Sequence, residues 1–139
     1  MAQLQIGMSH EWQYTVTHAL TAAAIAESDP HNGMTLPAVW STPDMIARME
    51  IVSAAVVTPH LEPGHITVGA RNEVSHLAAT PVGMVVRVRS TLSHVDGRKL
   101  TFMVEAFDEK EKVGEGVHVR YIVDRAKFDA RLAQKAGRE

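Results

Sequence analysis

The 139-residue chain is 45% hydrophobic and 22% charged, a composition that predicts one globular domain over residues 1–139. Its formal net charge of −2 gives no electrostatic case for nucleic acid or an anionic membrane as a partner. Because the chain has no cysteine, disulfides, thiolate nucleophiles and cysteine-ligated metal sites are excluded.

The first predicted elements are a strand, a short helix and a loop. Residues 11–18 alternate as a strand does, with Trp12, Tyr14 and Val16 on one face. Residues 19–27 favour a short helix, and the dense turn residues at 28–33 predict a loop that acts as a lid.

A long helix is predicted at about residues 43–58, starting at Ser41-Thr42-Pro43-Asp44. Its apolar residues recur at helical spacing and would form one buried stripe: Met45, Met49, Val52, Ser53 and Val56. Thr42 either caps the helix or lies among free backbone N–H groups, a position that suits a nucleophile or an oxyanion site.

Glu50 lies at the edge of this stripe, and no basic residue of the helix can pair with it. Either it reaches solvent past the stripe or it has a function, because glutamate is rarely buried unpaired. Thr42 is about 12 Å away along a straight helix, so the two side chains do not touch directly. Three arrangements would still let Thr42 and Glu50 serve one site. Either the segment before the helix folds back, or substrate and water bridge the two groups, or two subunits share the site.

The next strand, predicted at residues 66–78, carries a histidine on its apolar face. Side chains alternate between the two faces of a strand. We therefore expect Thr67 on the outer face and the following residues on the face toward the helix: Ile66, Val68, Ala70, Val74, His76 and Ala78. Such a histidine is more often a core residue than a catalyst, but beside a carboxylate it can be a general base. We therefore predict that Glu50 and His76 face each other across the core.

Three more strands and a terminal helix complete the predicted order. The strand from Met84 leads through Asp96-Gly97, a hairpin signal, into residues 100–104. Residues 108–111 turn the chain into a strand at 113–123, and 127–135 favour a helix. One strand, a long helix and four antiparallel strands predict an α+β domain with the helix packed on one sheet.

The histidines and the apolar segments give two further expectations. The eight histidines include no helical pair four residues apart, so we expect no structural metal, although a site assembled in space from His and carboxylates stays open. The longest apolar stretch is too short to span a bilayer, and the N-terminus lacks a basic region followed by an apolar block. We expect a cytoplasmic protein.

Several motifs, in order, resemble the fluoroacetyl-CoA thioesterase family of the hot-dog fold. They lie between Leu36 and Phe128: Thr42 and Glu50 at their spacing, Leu61-Glu62-Pro63-Gly64, Gly69, His76-Leu77-Ala78-Ala79-Thr80-Pro81, Val95-Asp96-Gly97-Arg98 and Gly114-Glu115-Gly116-Val117-His118-Val119-Arg120. The resemblance implies a five-stranded antiparallel sheet wrapped around a long central helix. It also implies a homodimer, or a higher assembly, with composite sites at the interface.

The resemblance further implies hydrolysis of an acyl-CoA thioester to a carboxylate and free CoA, without a metal or redox cofactor. The residues that match Thr42, Glu50 and His76 form the catalytic set of the family, and those that match Gly69 and Arg120 help to hold the acyl thioester. Attack by the threonine, by the glutamate or by water stays open.

One departure from the family concerns the acyl pocket. The fluoroacetyl-selective enzyme has a phenylalanine lid where this chain has Leu36, in a loop that also differs. We therefore expect short or branched acyl substrates without a fluoroacetyl preference. Trp40 stands where that enzyme has an aromatic residue, so it lines the acyl pocket or belongs to the core.

Two other functions and one other set of residues stay open. Asp29-Pro30-His31-Asn32 is faintly similar to the turn of hot-dog enoyl-CoA hydratases, and a non-catalytic acyl-CoA-binding protein is the other alternative. Four basic residues either contact the CoA phosphates or form solvated strand faces and turns: Arg87, Arg89, Arg98 and Lys99.

Overall fold

The computed structural model describes residues 3–31 and 33–138. Its strands are β1 (Ser9–Thr15), β2 (His65–His76), β3 (Val85–Asp96), β4 (Lys99–Phe107) and β5 (Lys112–Asp124). Its helices are α1 (Ala22–Ser28), α2 (Thr42–Val57) and α3 (Arg125–Lys135). The strands form one antiparallel sheet in the order β1-β3-β4-β5-β2, so β1 and β2 are the edges. The predicted α+β architecture is confirmed.

Helix α2 packs on the sheet through the apolar stripe that the sequence predicted. Its buried residues are Met45, Met49, Val52, Ser53, Val56 and Val57. They meet the inward residues of β3 and β4, which alternate with more exposed ones as expected for half-buried strands. Each large apolar side chain buried in this layer contributes about 1.5–3 kcal/mol. The helix is therefore fixed against the sheet, and so is the direction in which its polar residues point.

Two glycines of β5 permit close packing that no other residue would allow. A Cβ at Gly114 would collide with the sulfur of Met45 in α2. A Cβ at Gly116 would collide with the backbone of Glu73 and Val74 in β2. Glycine inside a strand often marks such a close approach. Strand β5 consequently lies tightly against both α2 and β2, the two elements that carry Thr42, Glu50 and His76.

A β-bulge in β2 changes which residues face the helix. The pairing of β2 with β5 shifts register between Gly69 and Arg71, so Ala70 is the extra residue. Before the bulge, Thr67 and Gly69 lie on the side of Arg120 and Glu50, whereas after it Asn72 and His76 do.

The prediction that Ile66, Val68 and Ala70 share the face of His76 is therefore wrong. An uninterrupted period of two was assumed, and a single extra residue reverses the alternation. The lone Gly69 within an apolar strand was the sequence signal of this bulge.

The boundaries differ from the predictions by small shifts with local causes. Strand β1 ends at Thr15, earlier than predicted, because a 3₁₀ turn follows at His18–Leu20. Strand β3 extends as far as Asp96, which pairs with Lys99, so the hairpin loop is Gly97-Arg98. Gly97 has φ of 60°, a conformation that glycine adopts without steric cost.

No helix in the described part of the chain is long and apolar enough to cross a membrane.

Candidate active site

Thr42 and His76 meet where α2 begins and β2 ends. Ser41 is the N-cap of α2, and its side chain accepts a hydrogen bond from the Asp44 N–H at 3.0 Å. Because Ser41 caps the helix, the hydroxyl of Thr42 is free, and its Oγ1 lies 2.7 Å from Nδ1 of His76. The sequence left open whether Thr42 is only a cap. The structure assigns the cap to the neighbouring residue.

The imidazole of His76 has the properties of a base near neutral pH. Burial lowers its pKa from the usual 6.5, which keeps the ring neutral at pH 7. Nε2 is buried and has no hydrogen-bond partner among the described residues. Trp40 holds the ring from one side, edge to face, with ring centroids 6.1 Å apart. A neutral imidazole beside a hydroxyl is the usual arrangement for activating an oxygen nucleophile.

An open cavity of about 380 Å³ adjoins this pair. Its lining is mainly apolar, with Ser41, Thr42 and His76 as the exceptions. The residues that line it are Ala22, Val39, Trp40, Ser41, Thr42, His76, Leu77, Ala78 and Ala79. Apolar walls with a few convergent polar groups are typical of small-ligand sites. The cavity suits a short acyl group held against the threonine and the histidine.

The two predicted pocket residues have different positions. Trp40 is only 1% exposed and also lines the cavity, so it belongs to both the core and the site. Its Nε1 donates to Oδ2 of Asp44 at 2.8 Å, which fixes the ring beside His76. Leu36 is 42% exposed and is not part of the cavity wall. Within the described residues of one chain, Leu36 therefore does not cover the cavity as a lid would.

Glu50 belongs to a second cluster, two helical turns away from Thr42. Its Oε2 accepts a hydrogen bond from Nδ2 of Asn72 at 2.8 Å. A methyl group at Gly69 would lie 3.6 Å from Oε2 of Glu50 and 3.3 Å from Nη1 of Arg120. Glu50, Gly69, Asn72 and Arg120 therefore surround one small space. The predicted Glu50–His76 contact is not made within the chain, because each side chain has a different partner.

Arg120 is a buried cation that backbone and neutral side chains hold in place. Its Nε and Nη2 donate to Oγ1 and O of Thr67 at 2.9 and 3.0 Å, and Nη1 lies 3.2 Å from Nε2 of His118. Burial lowers the pKa of Arg120, and the nearby carboxylate of Glu50 opposes this. No carboxylate in the described part of the chain lies within 4.0 Å of the guanidinium.

Three residues of this second cluster were not among the predicted site residues: Thr67, Asn72 and His118. Asn72 shares the strand face of His76 at a spacing of four, so the alternation in β2 contained a signal for it. Thr67 was assigned to the opposite face and could be placed correctly only with the bulge. His118 lies two residues before Arg120 on the same face of β5 and was named only as part of the family motif.

The other residues considered from the sequence lie outside these clusters. Arg87 and Arg89 form ion pairs with Glu11 and Glu105, which supports their reading as a solvated strand face. Arg98 borders a different cavity near Leu61 and Ile122.

Asp29, Pro30 and His31 of the segment compared with hydratases are exposed. Asp29 accepts a hydrogen bond from the backbone N–H of His31 there, and Asn32 is outside the described residues. Among the described side chains, no group of three or more His, Asp or Glu converges as metal ligands do.

Comparisons with known proteins identify the family. Residues 16–126 match the model of the fluoroacetyl-CoA-specific thioesterase family. The chain is 38% identical over 99 residues to the fluoroacetyl-CoA thioesterase of Streptantibioticus cattleyicolor, with 71% of each chain covered.

Solved structures give the same result. One of a fluoroacetyl-CoA thioesterase superposes with a TM-score of 0.88 at 32% identity, covering 95% of this chain and 97% of that one. A thioesterase superfamily member from Thermus thermophilus superposes with a TM-score of 0.87 at 26% identity, with 100% of each chain covered.

The fold and these matches together define a hot-dog thioesterase. The chain belongs to the fluoroacetyl-CoA-specific thioesterase family. The predicted fold, the predicted family and the predicted hydrolysis of acyl-CoA thioesters are confirmed by these matches.

Proposed function

We propose that this protein hydrolyses short or branched acyl-CoA thioesters through Thr42, His76 and Glu50. The observation that supports this most directly is the 2.7 Å contact between Oγ1 of Thr42 and Nδ1 of His76 at the wall of an apolar cavity. A hydroxyl, a neutral imidazole and an acyl-sized space are what acyl transfer to oxygen requires.

The first step uses His76 as a base. Nδ1 takes the proton from the Thr42 hydroxyl, or from a water that this hydroxyl positions, and the oxygen attacks the thioester carbonyl carbon. The carbon–sulfur bond then breaks, and the CoA sulfur leaves and receives a proton. In the threonine route, water attacks the acyl-threonine ester in a second step and releases the carboxylate. Both routes consume one water and yield the acid and free CoA.

The developing oxyanion would lie at the start of α2. Pro43 has no N–H, and the N–H of Asp44 is bonded to Ser41, but the N–H of Thr42 has no partner among the described residues. This N–H and the positive end of the helix dipole favour negative charge at that point. Thr42 would then have two roles, one for its hydroxyl and one for its backbone.

Glu50 would complete the site from a second copy of the chain. Glu50 and His76 lie in different clusters of one chain, and Oε1 of Glu50 makes no hydrogen bond within the described residues. We therefore propose a homodimer in which the partner subunit's Glu50 faces the Thr42–His76 pair across the cavity. Its negative charge there would stabilise the imidazolium that forms when His76 takes the proton.

Two surface features support this homodimer. Strand β2 is a sheet edge, and such edges pair readily with another chain. Ile51 and Leu77, each next in sequence to a site residue, are 45% and 51% exposed. A symmetric dimer over this region would cover both apolar side chains and bring two sites together.

The remaining parts of the proposal concern substrate and location. Gly69 and Arg120 would hold the acyl thioester, and CoA enters only as part of the substrate, without a further cofactor. We propose that residues 1–139 act as one domain. The cytoplasm is the proposed location, because a chain without cysteine does not depend on an oxidising compartment.

A thiol-release assay tests the activity. The purified protein is offered acetyl-, fluoroacetyl-, butyryl- and isobutyryl-CoA, and free CoA is measured over time. Release that depends on Thr42 and His76 supports the proposal. Tight binding of acyl-CoA without release of thiol would instead indicate a binding protein, and the proposed hydrolysis would be rejected.

Mixing two inactive variants tests the composite site. Thr42→Ala and Glu50→Gln protomers are unfolded together and refolded, so that mixed dimers form. If the partner subunit's Glu50 serves His76, each mixed dimer contains one intact site and activity returns. If both residues serve the same chain, the mixture stays inactive. Light scattering that gives a mass near 15.2 kDa would contradict the dimer itself.

A further inference from the structure

His118 links the bulge in β2 to the guanidinium of Arg120. It is fully buried, and its ring stacks on Phe102 with centroids 6.3 Å apart. Its Nδ1 lies 2.9 Å from the carbonyl oxygen of Arg71, the residue after the bulge. Its Nε2 lies 3.2 Å from Nη1 of Arg120. Both ring nitrogens are therefore used.

These two partners permit only one form of the ring. A carbonyl oxygen only accepts hydrogen bonds, so Nδ1 must carry the hydrogen. A guanidinium only donates, so Nε2 must be bare. The neutral Nδ1–H tautomer of His118 satisfies both contacts. A doubly protonated ring would place a second N–H against the guanidinium of Arg120.

The charged groups around His118 are few. Arg120 lies beside it on β5, Glu50 faces it from α2, and β2 contributes the backbone carbonyl of Arg71. Burial and the positive charge of Arg120 lower the pKa of His118, while the Arg71 carbonyl and Glu50 act in the other direction. The ring is therefore neutral at pH 7, as the hydrogen bonds require.

We propose that His118 is a positioning residue for the hydrolysis, which holds Nη1 of Arg120 beside Gly69 and prevents it from binding the carboxylate of Glu50. The inference rests on the proposed function, in which Glu50 acts on His76. Nη1 of Arg120 and Oε2 of Glu50 both approach Gly69 closely, yet they form no ion pair within 4.0 Å. Thr67 accepts from Nε and Nη2, and His118 gives Nη1 an acceptor, so the rigid guanidinium has all three nitrogens bonded to groups other than Glu50.

Without the His118 acceptor, Nη1 keeps a buried N–H without a partner, which favours a shift of the whole guanidinium from Thr67 toward Glu50. An arginine that binds a carboxylate in two places makes a strong, directional contact. It would compete with Asn72 for Oε2 and hold Oε1 as well. Glu50 would then be withdrawn from catalysis although its charge and its position in α2 were unchanged.

Two variants separate this role from simple packing. In His118→Gln, the amide oxygen reaches about as far as Nε2 and still accepts from Arg120. In His118→Asn, the shorter amide matches Nδ1, so it keeps the contact with the Arg71 carbonyl and loses the one with Arg120. Both replace a buried ring with a smaller amide, so each is the packing control for the other.

We expect His118→Asn to lower kcat on the best acyl-CoA by tenfold or more with a smaller change in KM, and His118→Gln to recover most of that loss. Equal impairment of two folded variants would overturn the proposal, and so would normal kcat in both. If the wild-type protein hydrolyses no acyl-CoA, the proposed function fails instead.

A second measurement applies even if neither variant folds. Long-range ¹H–¹⁵N NMR spectra of the wild-type imidazoles report which ring nitrogen carries the hydrogen. We expect a neutral His118 protonated at Nδ1 at pH 7. A ring protonated at Nε2 would overturn the proposal, because that nitrogen could not then accept from Arg120.

Discussion

Oγ1 of Thr42 and Nδ1 of His76 lie 2.7 Å apart, although 34 positions separate the two residues in the sequence. Helix α2 and strand β2 run in opposite directions against β5, so the start of the helix meets the end of the strand. Ser41 takes over the capping role and thereby leaves the threonine hydroxyl free for the histidine. This contact is the centre of the proposed chemistry.

Removing either member of this pair should abolish most of the activity. We expect Thr42→Ala and His76→Ala each to lower kcat by about 10²-fold or more, as loss of a positioned acid or base does. Thr42→Ser keeps the hydroxyl and should lose less. Thr58→Ala is the matched control, because that hydroxyl bonds to Ala54 at the other end of the helix. Folded variants with near-normal turnover would contradict the assignment.

Glu50 and Asn72 should act as a unit. We expect Glu50→Gln to lower kcat by about 10²-fold, since the amide cannot replace the charge, and Asn72→Ala to lower it less, by about tenfold. Asn72→Asp should be worse than Asn72→Ala, because it places a second carboxylate beside Glu50. Steady-state kinetics of the purified variants measure this.

Glu73→Gln is the control for that series. Glu73 is exposed and pairs with Arg71 on the opposite face of β2, so its charge does not reach the site. Activity should be unchanged in this variant. An Asn72→Asp protein as active as the wild type would show that Asn72 does not contact the working form of Glu50.

The pH dependence of kcat should show a base whose pKa is below 6.5. Burial disfavours the charged form of His76 and lowers its pKa, so the active neutral ring persists at mildly acid pH. Activity should be full at neutral pH and fall only as the pH drops through the lowered value. A profile measured from pH 5 to 8 tests this. An acid limb centred above 6.5 would mean that the carboxylate of the partner subunit's Glu50 stabilises the charged ring more than burial disfavours it.

Gly114→Ala should destabilise the fold at the point where α2 packs on β5. The new methyl group would collide with Met45 and push α2 away from β5. Overpacking of this kind typically costs about 1–3 kcal/mol. Urea denaturation should show a lower midpoint, whereas Glu115→Ala, at the exposed neighbouring position, should change stability by less than about 0.5 kcal/mol. Equal stability of the two variants would show that the helix can move aside freely.

The acyl preference should be broad. Leu36 is 42% exposed and is not part of the cavity wall. The side chain at position 36 is also not aromatic, so no aromatic lid encloses the acyl group from there. One methylene in an apolar pocket changes the specificity by only about 1–3 kcal/mol. We expect kcat/KM for fluoroacetyl-CoA to show no marked advantage over acetyl-CoA, with better values for butyryl- or isobutyryl-CoA. A fluoroacetyl preference of several orders of magnitude would show that selectivity does not need an aromatic lid.

The amino-acid sequence by itself determined the elements that depend on neighbouring residues. The apolar stripe of α2, its start at Ser41 to Asp44, and the hairpin near Gly97 follow from helical spacing, capping chemistry and turn preference. Each of these signals lies within a few residues, so no other part of the chain is needed to read it. The choice between Ser41 and Thr42 as the cap could not be made at this level, because both side chains can accept the same N–H.

Only the tertiary structure decided which polar side chains meet. The sequence placed Glu50 opposite His76, whereas the fold pairs Thr42 with His76 and Glu50 with Asn72. One extra residue at the β2 bulge reversed the faces of Thr67 and Val68, and a reversal of this kind depends on register with β5 rather than on local composition. Side chains far apart in sequence become neighbours through strand pairing and the depth of helix packing, and both are set by contacts across the whole sheet.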